Sequence, residues 1–282
     1  MSDRRSVWSR LAASPSFLVG ASLSGVVVAA ALVSLAWTPI AADHVELGQR
    51  LLGPGSGHWF GTDHFGRDVA ARLLVGAGNA LVVGVVALLI GLSAGVATGL
   101  VAAAAAGSWL DEALMRAADF AFAFPAVLTA ILFTVALGPG IATSIVAIGI
   151  FNIPVFARTA RASGGAVWSR EYVLSAQAIG KGRFRITTDH VLPNITAILL
   201  VQATASFAVA ILAEAGLAYL GLSTQPPEAS WGRMLFEART FLADAPHLAV
   251  FPGLAIAIAV LGVNLLGDGL RDAFDPRGGA IF

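Results

Sequence analysis

Residues 158–193 read RTARASGGAVWSREYVLSAQAIGKGRFRITTDHVLP, a basic segment between two long apolar runs. The segment contains six of the 17 Lys and Arg residues of the chain. A polar, helix-forming insert with a central glycine, in an otherwise apolar chain, needs a partner on one side of a membrane. The segment therefore predicts a loop that joins two membrane spans and contacts another protein.

The composition predicts an integral membrane protein. Of the 282 residues, 57% are hydrophobic and 12% are charged, whereas about a quarter of the residues in a soluble domain are charged. So few charges cannot cover a water-exposed surface, and the apolar excess must face lipid. The formal net charge of zero argues against a nucleic-acid partner, and the lack of cysteine excludes disulfides, thiolate catalysis and cysteine metal sites.

Six apolar runs are long enough to cross a membrane as helices, which takes about 20 residues. They cover approximately residues 17–37, 79–106, 117–137, 141–157, 194–220 and 247–266. Gly138-Pro139-Gly140 predicts a tight turn and an antiparallel hairpin between the third and fourth. We expect an all-α fold in which residues 1–78 form an N-terminal cytoplasmic segment, the first span and an outer loop. Residues 79–277 would form a five-span core that includes loop 158–193, and residues 278–282 a tail.

The distribution of Lys and Arg predicts the orientation. With the N-terminus inside, the cytoplasmic segments hold 12 of these residues and the outer segments hold five. By the positive-inside rule this places both termini in the cytoplasm of a bacterial plasma membrane. Arg4-Arg5 would also fit a twin-arginine signal, but the long first run and the five spans after it favour an uncleaved anchor over a cleaved signal peptide.

Within the basic loop the sequence predicts two short helices at an angle. Ser169 is a candidate N-cap, and Glu171 in the first turn complements the helix dipole. Gly180 interrupts the chain after this helix. A second helix from about Phe184 leads to Pro193 at the start of a span, where proline is tolerated.

This loop resembles the cytoplasmic loop of ABC importer permeases, in which Glu-Ala-Ala is followed by a glycine four residues on and then by Leu-Pro. The residues that match this motif are Ser175, Ala176, Gly180, Leu192 and Pro193. Leu174 occupies the position of the glutamate, and Glu171 lies one turn earlier. The sequence leaves open whether Glu171 takes over the role of that acid.

Further motifs narrow the resemblance to the C-type permeases of dipeptide, oligopeptide and nickel importers. They are Gly61-Thr62-Asp63-His64-Phe65-Gly66-Arg67-Asp68, Phe122-Ala123-Phe124-Pro125, Ala213-Glu214-Ala215, Tyr219-Leu220-Gly221-Leu222, Gln225-Pro226-Pro227, Ser230-Trp231-Gly232 and the run from Asn264 to Asp272. The resemblance covers residues 61–277. It implies a type I ABC importer permease fold with six transmembrane helices and a cytoplasmic coupling helix.

The resemblance also implies partners. They are a sister permease in a heterodimer, one or two ABC ATPase subunits and an extracytoplasmic substrate-binding protein. The residues expected to contact the ATPase are Glu171, Leu174, Ser175, Ala176, Ala178, Gly180 and Arg183. Those expected to dock the binding protein are Trp231, Arg233 and Arg239.

The sequence has no GxxxxGK[ST] phosphate-binding loop, and Gly180-Lys181-Gly182 is not one. Hydrolysis of ATP is therefore expected in partner ATPase subunits, which would bind ATP and Mg²⁺. We expect a non-enzymatic permease subunit that binds no cofactor of its own.

Polar residues in the spans are candidates for the translocation path, because a charge in hydrocarbon is costly. Glu214 could line the path or an outer gate and face the amine of a cationic peptide. The alternative interpretation is a structural hydrogen bond across a helix interface. Asn152 and Gln202 leave the same two interpretations open.

The outer loops contain two further predictions. His58, Asp63, His64 and Asp68 could be taken for a metal cluster, but caps, salt links and an Asx turn at Asp63 explain the same residues, and we predict no metal. Residues 225–246 have apolar side chains at helical spacing and predict an amphipathic helix at the outer interface. The residues in this register are Trp231, Leu235, Ala238 and Leu242.

Small residues and prolines predict how the spans pack. Gly91, Gly95 and Gly99 form a stripe that favours close helix contact, inside the subunit or against a sister subunit. Pro125 and Pro154 predict kinks in their helices.

We predict one transmembrane subunit of an ATP-driven importer of dipeptides or oligopeptides, working by alternating access. Nickel and other small solutes are alternative cargoes. A secondary transporter or channel driven by an ion gradient is the main alternative function, and such proteins show paired acids, a His relay or broken helices at mid-membrane. A membrane scaffold without transport also fits the spans.

Overall fold

The structure, a computed structural model, describes residues 7–55 and 57–274. These residues form eleven α-helices and no β-strand, apart from one isolated bridge between Thr62 and Asp68. The helices are α1 (Val7–Ala13), α2 (Pro15–Ala36), α3 (Val69–Ala104), α4 (Trp109–Ala123), α5 (Ala126–Leu137), α6 (Ile141–Trp168), α7 (Glu171–Ala178), α8 (Arg183–Ile186), α9 (Leu192–Tyr219), α10 (Trp231–Ala238) and α11 (His247–Phe274). The predicted all-α class is confirmed, while the predicted tail 278–282 lies outside the described residues.

Five stretches of helix are long and apolar enough to cross a membrane: α2, α3, α6, the continuous stretch from α8 to α9, and α11. They correspond to five of the six predicted spans. The third predicted span is instead a pair of helices, α4 and α5, at 87° to each other. Residues 7–55 and 57–274 thus contain five candidate single spans, and a sixth if the bent pair is counted as one.

The break between α4 and α5 follows from Pro125. Phe124 and Pro125 both have extended backbone, with ψ of 125° and 131°. Proline has no N–H to donate and pushes the residue before it out of the α region. The kink predicted at Pro125 is therefore a complete interruption, whereas α6 continues through Pro154.

The second span begins earlier than predicted, at Val69 rather than near Asn79. The side chain of Asp68 caps α3 by accepting a hydrogen bond from the backbone N–H of Ala71, at 2.7 Å. The helix can include Arg72 near its start, because the guanidinium of Arg72 is buried and is neutralised by a carboxylate from another part of the chain. The predicted domain boundary between residues 78 and 79 falls inside α3.

The predicted glycine stripe packs α3 against α6. A Cβ atom at Gly95 would lie 2.5 Å from the carbonyl oxygen of Ile153, and one at Gly91 or Gly99 would also collide with α6. Only glycine allows the two backbones to approach this closely. The stripe therefore serves packing inside the subunit, one of the two predicted alternatives.

Two buried clusters mark the opposite ends of the bundle. One includes Val173 of α7 and Ile186 of α8, together with parts of α3 and α6, and we call this the α7 end. The other includes Val69 of α3, Trp231 of α10 and Leu248 of α11, and we call this the α10 end. The spans connect these two ends.

Candidate functional site

A cavity of about 320 Å³ opens between α5, α6 and α9. Apolar side chains such as Phe151, Leu212 and Leu217 line it, and Asn152 is the one polar residue in the lining. Asn152 is 3% exposed, and its Nδ2 donates a hydrogen bond to the carbonyl oxygen of Ile148 at 3.0 Å. Asn152, a predicted path residue, thus lies at this cavity with its amide already bonded to its own helix.

Glu214 does not line the cavity. Its carboxylate is 1% exposed and accepts hydrogen bonds from the hydroxyls of Ser223 (3.2 Å) and Thr224 (3.5 Å), which follow α9. The geometry favours the structural interpretation of Glu214, in which it ties the end of α9 to the next segment. The bond runs to this loop and not across a helix interface as predicted.

Gln202, the third predicted path residue, is partly buried on α9. Its Nε2 donates to Ser206 Oγ, one turn further along, at 3.3 Å. The cavity lining does not include it. Of the three predicted path residues, the structure brings only Asn152 to the cavity.

Glu237 on α10 accepts hydrogen bonds from three arginines. Its Oε2 lies 2.8 Å from Arg67 Nη2 and 3.1 Å from Arg72 Nη2, and its Oε1 lies 3.1 Å from Arg233 Nε. Arg72 is 1% exposed, Arg67 is buried, and the Glu237 side chain is 10% exposed. These ion pairs join the loop 61–68 and the start of α3 to α10.

Asp63 completes this ion-pair cluster and shapes the loop that holds it. Its Oδ1 accepts from the backbone N–H groups of Phe65 (2.8 Å) and Arg67 (3.0 Å), which is the predicted Asx turn. Its Oδ2 lies 2.6 Å from Arg67 Nε. Arg67 therefore pairs with Asp63 and Glu237, whereas Asp68 caps α3.

The four residues considered for a metal site do not converge. His58 bonds to Asp68 (2.8 Å) and Gln49 (2.6 Å), away from Asp63 and His64. A different trio, Asp63, His64 and Glu237, does bring candidate ligand atoms within 4.8 Å of one another.

The arginines occupy that trio instead. Both carboxylates already pair with Arg67 and Arg72, whose positive charges would repel a metal cation. Burial lowers the pKa of His64, although the carboxylates of Asp63 and Glu237 act in the opposite direction. The arrangement has the chemistry of a structural ion-pair cluster.

Trp231 has a different environment from the one predicted. It is 3% exposed, its Nε1 donates to the carbonyl oxygen of Leu73 at 3.0 Å, and its ring lies against Gly76. The predicted amphipathic helix is present as α10, but its apolar face packs on α3, α9 and α11 rather than on lipid. Trp231 was therefore wrongly placed at a docking surface, because the missing side chain of Gly76 leaves room for its ring inside the bundle.

The other two predicted docking residues differ in exposure. The Arg233 side chain is 16% exposed and held by Glu237. Arg239 is exposed, and its guanidinium lies 4.0 Å from the ring centroid of Phe236. Arg239 thus presents an exposed cationic group at the α10 end, with an aromatic ring beneath it.

At the opposite end, α7 has one buried and one exposed face. Val173 and Ala176 pack on the bundle, whereas Leu174 is 50% and Ile179 84% exposed. Phe184, on the adjoining α8, is 82% exposed. Ala176 therefore fixes α7 to the bundle and does not face outward as predicted. The other predicted coupling residues are exposed: Glu171, Leu174, Ser175, Ala178, Gly180 and Arg183.

The local structure of this loop corrects two predictions. Ser169 follows the end of α6, and its hydroxyl donates to the carbonyl oxygen of Ala166 at 3.0 Å, so it does not cap α7. The second predicted helix is not separate, because α8 continues through a π turn into α9.

The π turn ends just before Pro193, which has no N–H to donate to the preceding turn. Gly180, with φ of +83°, makes the predicted break.

Two arginines of the basic segment lie on α6 and bind α4. Two nitrogens of the Arg161 guanidinium donate hydrogen bonds to Asp111, with Nε–Oδ1 at 3.0 Å and Nη2–Oδ2 at 2.6 Å. Arg158 pairs with Asp119. These contacts hold α4 against α6 at the α7 end.

The remaining cations of the segment divide into one paired residue and three exposed ones. Lys181 Nζ lies 3.0 Å from Asp189 Oδ2. Arg170, Arg183 and Arg185 are exposed beside α7. The positive charge available to a partner is therefore about half of what the sequence suggests.

Several important residues were not found from the sequence. The spacing of Arg233 and Glu237, four residues apart, could have indicated their pair. No local signal connects Glu237 with Arg72, which lies 165 positions away.

The GxSxG spacing of serine hydrolases occurs once in α3, at Gly91-Leu92-Ser93-Ala94-Gly95. There Ser93 Oγ donates a hydrogen bond to the carbonyl oxygen of Leu89 at 2.7 Å, in the middle of the helix. A nucleophilic serine of that motif requires a strand-to-helix turn.

Comparison with known proteins identifies similar chains. Residues 95–278 match the family described as binding-protein-dependent transport system inner membrane component. The dipeptide transport system permease protein DppC of Alkalihalophilus pseudofirmus is 43% identical over 81% of this chain and 75% of its own length. The glutathione transport system permease protein GsiD is 42% identical in Pectobacterium atrosepticum and 46% in Escherichia coli O6:K15:H31, in each case over 80% of this chain and 74% of the relative.

A solved structure has a similar fold. In an inward-facing structure of the MetNI methionine ABC transporter, one chain superposes with a TM-score of 0.61 at 16% identity. The match covers 72% of the chain described here and 97% of that chain. The likeness extends over the greater part of the helical bundle.

Proposed function

The chain belongs to the family of binding-protein-dependent transport system inner membrane components, as an ABC importer permease of the peptide group. We propose that its cargo is a dipeptide or another short peptide. Peptide cargo is supported by relatives that are named for dipeptide and glutathione transport. Membership also implies an ATPase partner and a multi-pass location in the inner membrane.

The observation that carries the mechanism is the exposed apolar surface of α7 and α8. Leu174, Ile179 and Phe184 are all at least half exposed. Leu174 and Ile179 lie in the segment between two spans, and Phe184 lies in the first turn of the helical stretch that continues into α9. A short helix with exposed apolar residues, fixed to the bundle by Val173 and flanked by exposed arginines, fits a docking element for another protein. In this proposal α7 is the coupling helix that contacts the ATPase.

The α7 end then faces the cytoplasm, together with both termini. The excess of Lys and Arg in the segments at this end supports the orientation. ATP and Mg²⁺ are bound by the ATPase subunits, and this chain transmits their motion. The helix is continuous from Arg183, beside α7, to Tyr219, near the α10 end. A movement of α7 can therefore be passed along this helix to the other side of the membrane.

The cavity between α5, α6 and α9 is our candidate for part of the translocation path, shared with a sister permease. Its lining has no charged side chain. A transporter driven by an ion gradient is expected to hold acids or histidines in its path, so this lining favours transport driven by ATP. A binding protein would deliver the peptide at the α10 end, where Arg239 is exposed and Arg233 partly so.

The proposal is tested by replacing Leu174 and Ile179 with Asp in the assembled complex. Two charges on the docking surface should prevent the ATPase from binding, because they would have to be desolvated in an apolar contact. The measurements are co-purification of the ATPase and ATP-dependent uptake of a panel of dipeptides, glutathione and Ni²⁺ into vesicles with the binding protein present. Both are expected to fall to background for the double variant.

Leu242→Asp provides the matched control, because Leu242 is also 50% exposed but lies at the α10 end. It should leave ATPase binding intact. Normal ATPase binding by the α7 variant would contradict the docking role, and uptake by the unmodified complex without ATP would contradict the importer itself. Uptake of Ni²⁺ but of no peptide would overturn the cargo proposal alone.

A further inference from the structure

The loop between α2 and α3 exposes an unusual number of large apolar side chains. Leu47 is 64% exposed, Trp59 63%, Trp37 52% and Val45 51%. These residues lie within 37–60, and among the residues of this segment that the structure describes, Leu47–Gln49 form the only helical turn. So much apolar surface outside the spans indicates contact with something other than water.

This surface is continuous with the lipid-facing side of α2. Leu32 and Leu35, in the last turns of that span, are 61% and 82% exposed. Trp37 follows at the end of the helix, and its ring lies 6.2 Å from that of Trp59. The exposed apolar residues therefore extend without interruption from the side of a span onto the loop.

The same segment also reaches the top of a second span. Phe60 stacks on Phe251, in the second turn of α11, with ring centroids 4.4 Å apart. The aromatic rings of the segment thus lie beside the ends of two spans. Tryptophan is enriched at the boundary between hydrocarbon and headgroups because its ring is apolar and its N–H is polar.

The charge of residues 37–60 indicates that the segment would contact the membrane through its apolar side chains and not through attraction to charged lipid headgroups. The segment contains Asp43 and Glu46 against the single Arg50. Anionic lipids therefore offer it no electrostatic advantage, and its contact should not depend on lipid charge.

The segment is firmly joined to the ion-pair cluster. A Cβ atom at Gly66 would collide with the backbone of Glu46, so the two stretches of chain touch directly. His58 bonds to both Gln49 and Asp68, at 2.6 and 2.8 Å. A displacement of the segment would accordingly be passed to the loop 61–68 and, through Arg67, to α10.

We propose that residues 37–60 lie in the membrane interface at the α10 end and hold the ion-pair cluster and α10 at a fixed depth relative to the bilayer. The occupant of this apolar surface is the lipid boundary and not a protein. The inference depends on the spans and not on the cargo or the ATPase.

The test uses the lack of cysteine in the chain, which allows a single spin label without other changes. Leu47→Cys is labelled with a nitroxide in the assembled complex in lipid nanodiscs. Collision rates with oxygen, which concentrates in lipid, and with a water-soluble nickel chelate are then compared. Leu35→Cys, on the exposed side of α2, is the lipid reference, and Glu228→Cys, exposed at the α10 end, is the water reference.

We expect the oxygen-to-nickel ratio at Leu47 to lie between the two references, and to be the same in neutral and anionic lipid. A ratio equal to that of Glu228 would overturn the proposal. Low collision rates with both probes would also overturn it, because they would mean that protein covers the surface. A fall in both rates only when the binding protein is added would assign the surface to docking.

A second measurement avoids the label. Brominated lipids should quench part of the tryptophan fluorescence of the unmodified complex, and that part should decrease when Trp37 and Trp59 are both replaced by Phe. Trp231→Phe is the matched control, because Trp231 is buried and its removal should leave the quenched part unchanged. An equal quenched part in all three proteins would refute the insertion of the segment.

Discussion

Glu237 is the residue on which the α10 end depends most directly. It accepts from Arg67, Arg72 and Arg233, and all four side chains are largely buried. Removing one member of a buried ion pair leaves an uncompensated charge, which costs about 3–5 kcal/mol. The cluster is therefore sensitive to the loss of this single carboxylate.

Glu237→Gln should markedly lower the thermal stability of the purified chain and its abundance in the membrane. Glu112→Gln is the matched control, because Glu112 pairs with Arg116 four residues on but both side chains are more than half exposed. Such an exposed helical pair is worth less than about 0.5 kcal/mol. The measurement is thermal denaturation in detergent, and equal melting temperatures for the two variants would contradict the structural role of the cluster.

At the scale of elements, the contact between α3 and α6 depends on the lack of side chains. The glycine stripe was identified from its spacing alone, and the structure supplied its partner. The same motif could have faced a sister subunit, since spacing describes one helix surface and not what lies against it. The tertiary packing decided between the two.

Gly95→Ala should destabilise the bundle even though alanine favours helix. The new Cβ would meet the carbonyl oxygen of Ile153 at 2.5 Å, and overpacking of this kind costs about 1–3 kcal/mol. Gly253→Ala, inside α11 with nothing within 4 Å of its Cβ position, should instead be neutral or gain about 1 kcal/mol. Opposite shifts in melting temperature are expected, and a stabilised Gly95 variant would show that the two helices separate easily.

For the whole molecule, the proposed orientation places α7 and α10 on opposite sides of the membrane. Ile179→Cys and Glu228→Cys are suitable probes because both positions are well exposed. In intact cells a membrane-impermeant maleimide should label residue 228, and residue 179 should react only after the cells are opened and the ATPase is removed from the complex. Labelling of residue 179 in intact cells would reverse the orientation.

The sequence alone determined the class of the fold, the approximate positions of five of the six predicted spans, and the family resemblance. These follow from local properties, because about 20 apolar residues must form a helix in lipid whatever surrounds them. The break at Gly180 and the Asx turn at Asp63 were also predicted correctly from the sequence, since each depends on the geometry of a few neighbouring residues.

The tertiary structure decided which polar residues meet. Trp231 was assigned to a surface, and Ser169 to a helix start, because local patterns do not reveal that Gly76 makes a pocket or that α6 continues to Trp168. The start of the second span was misplaced for a related reason. From the sequence alone, an arginine such as Arg72 suggests a solvent-exposed position outside a span. A buried arginine is nevertheless stable when a carboxylate neutralises its charge. Only the folded chain brings Glu237, from a distant part of the sequence, to Arg72.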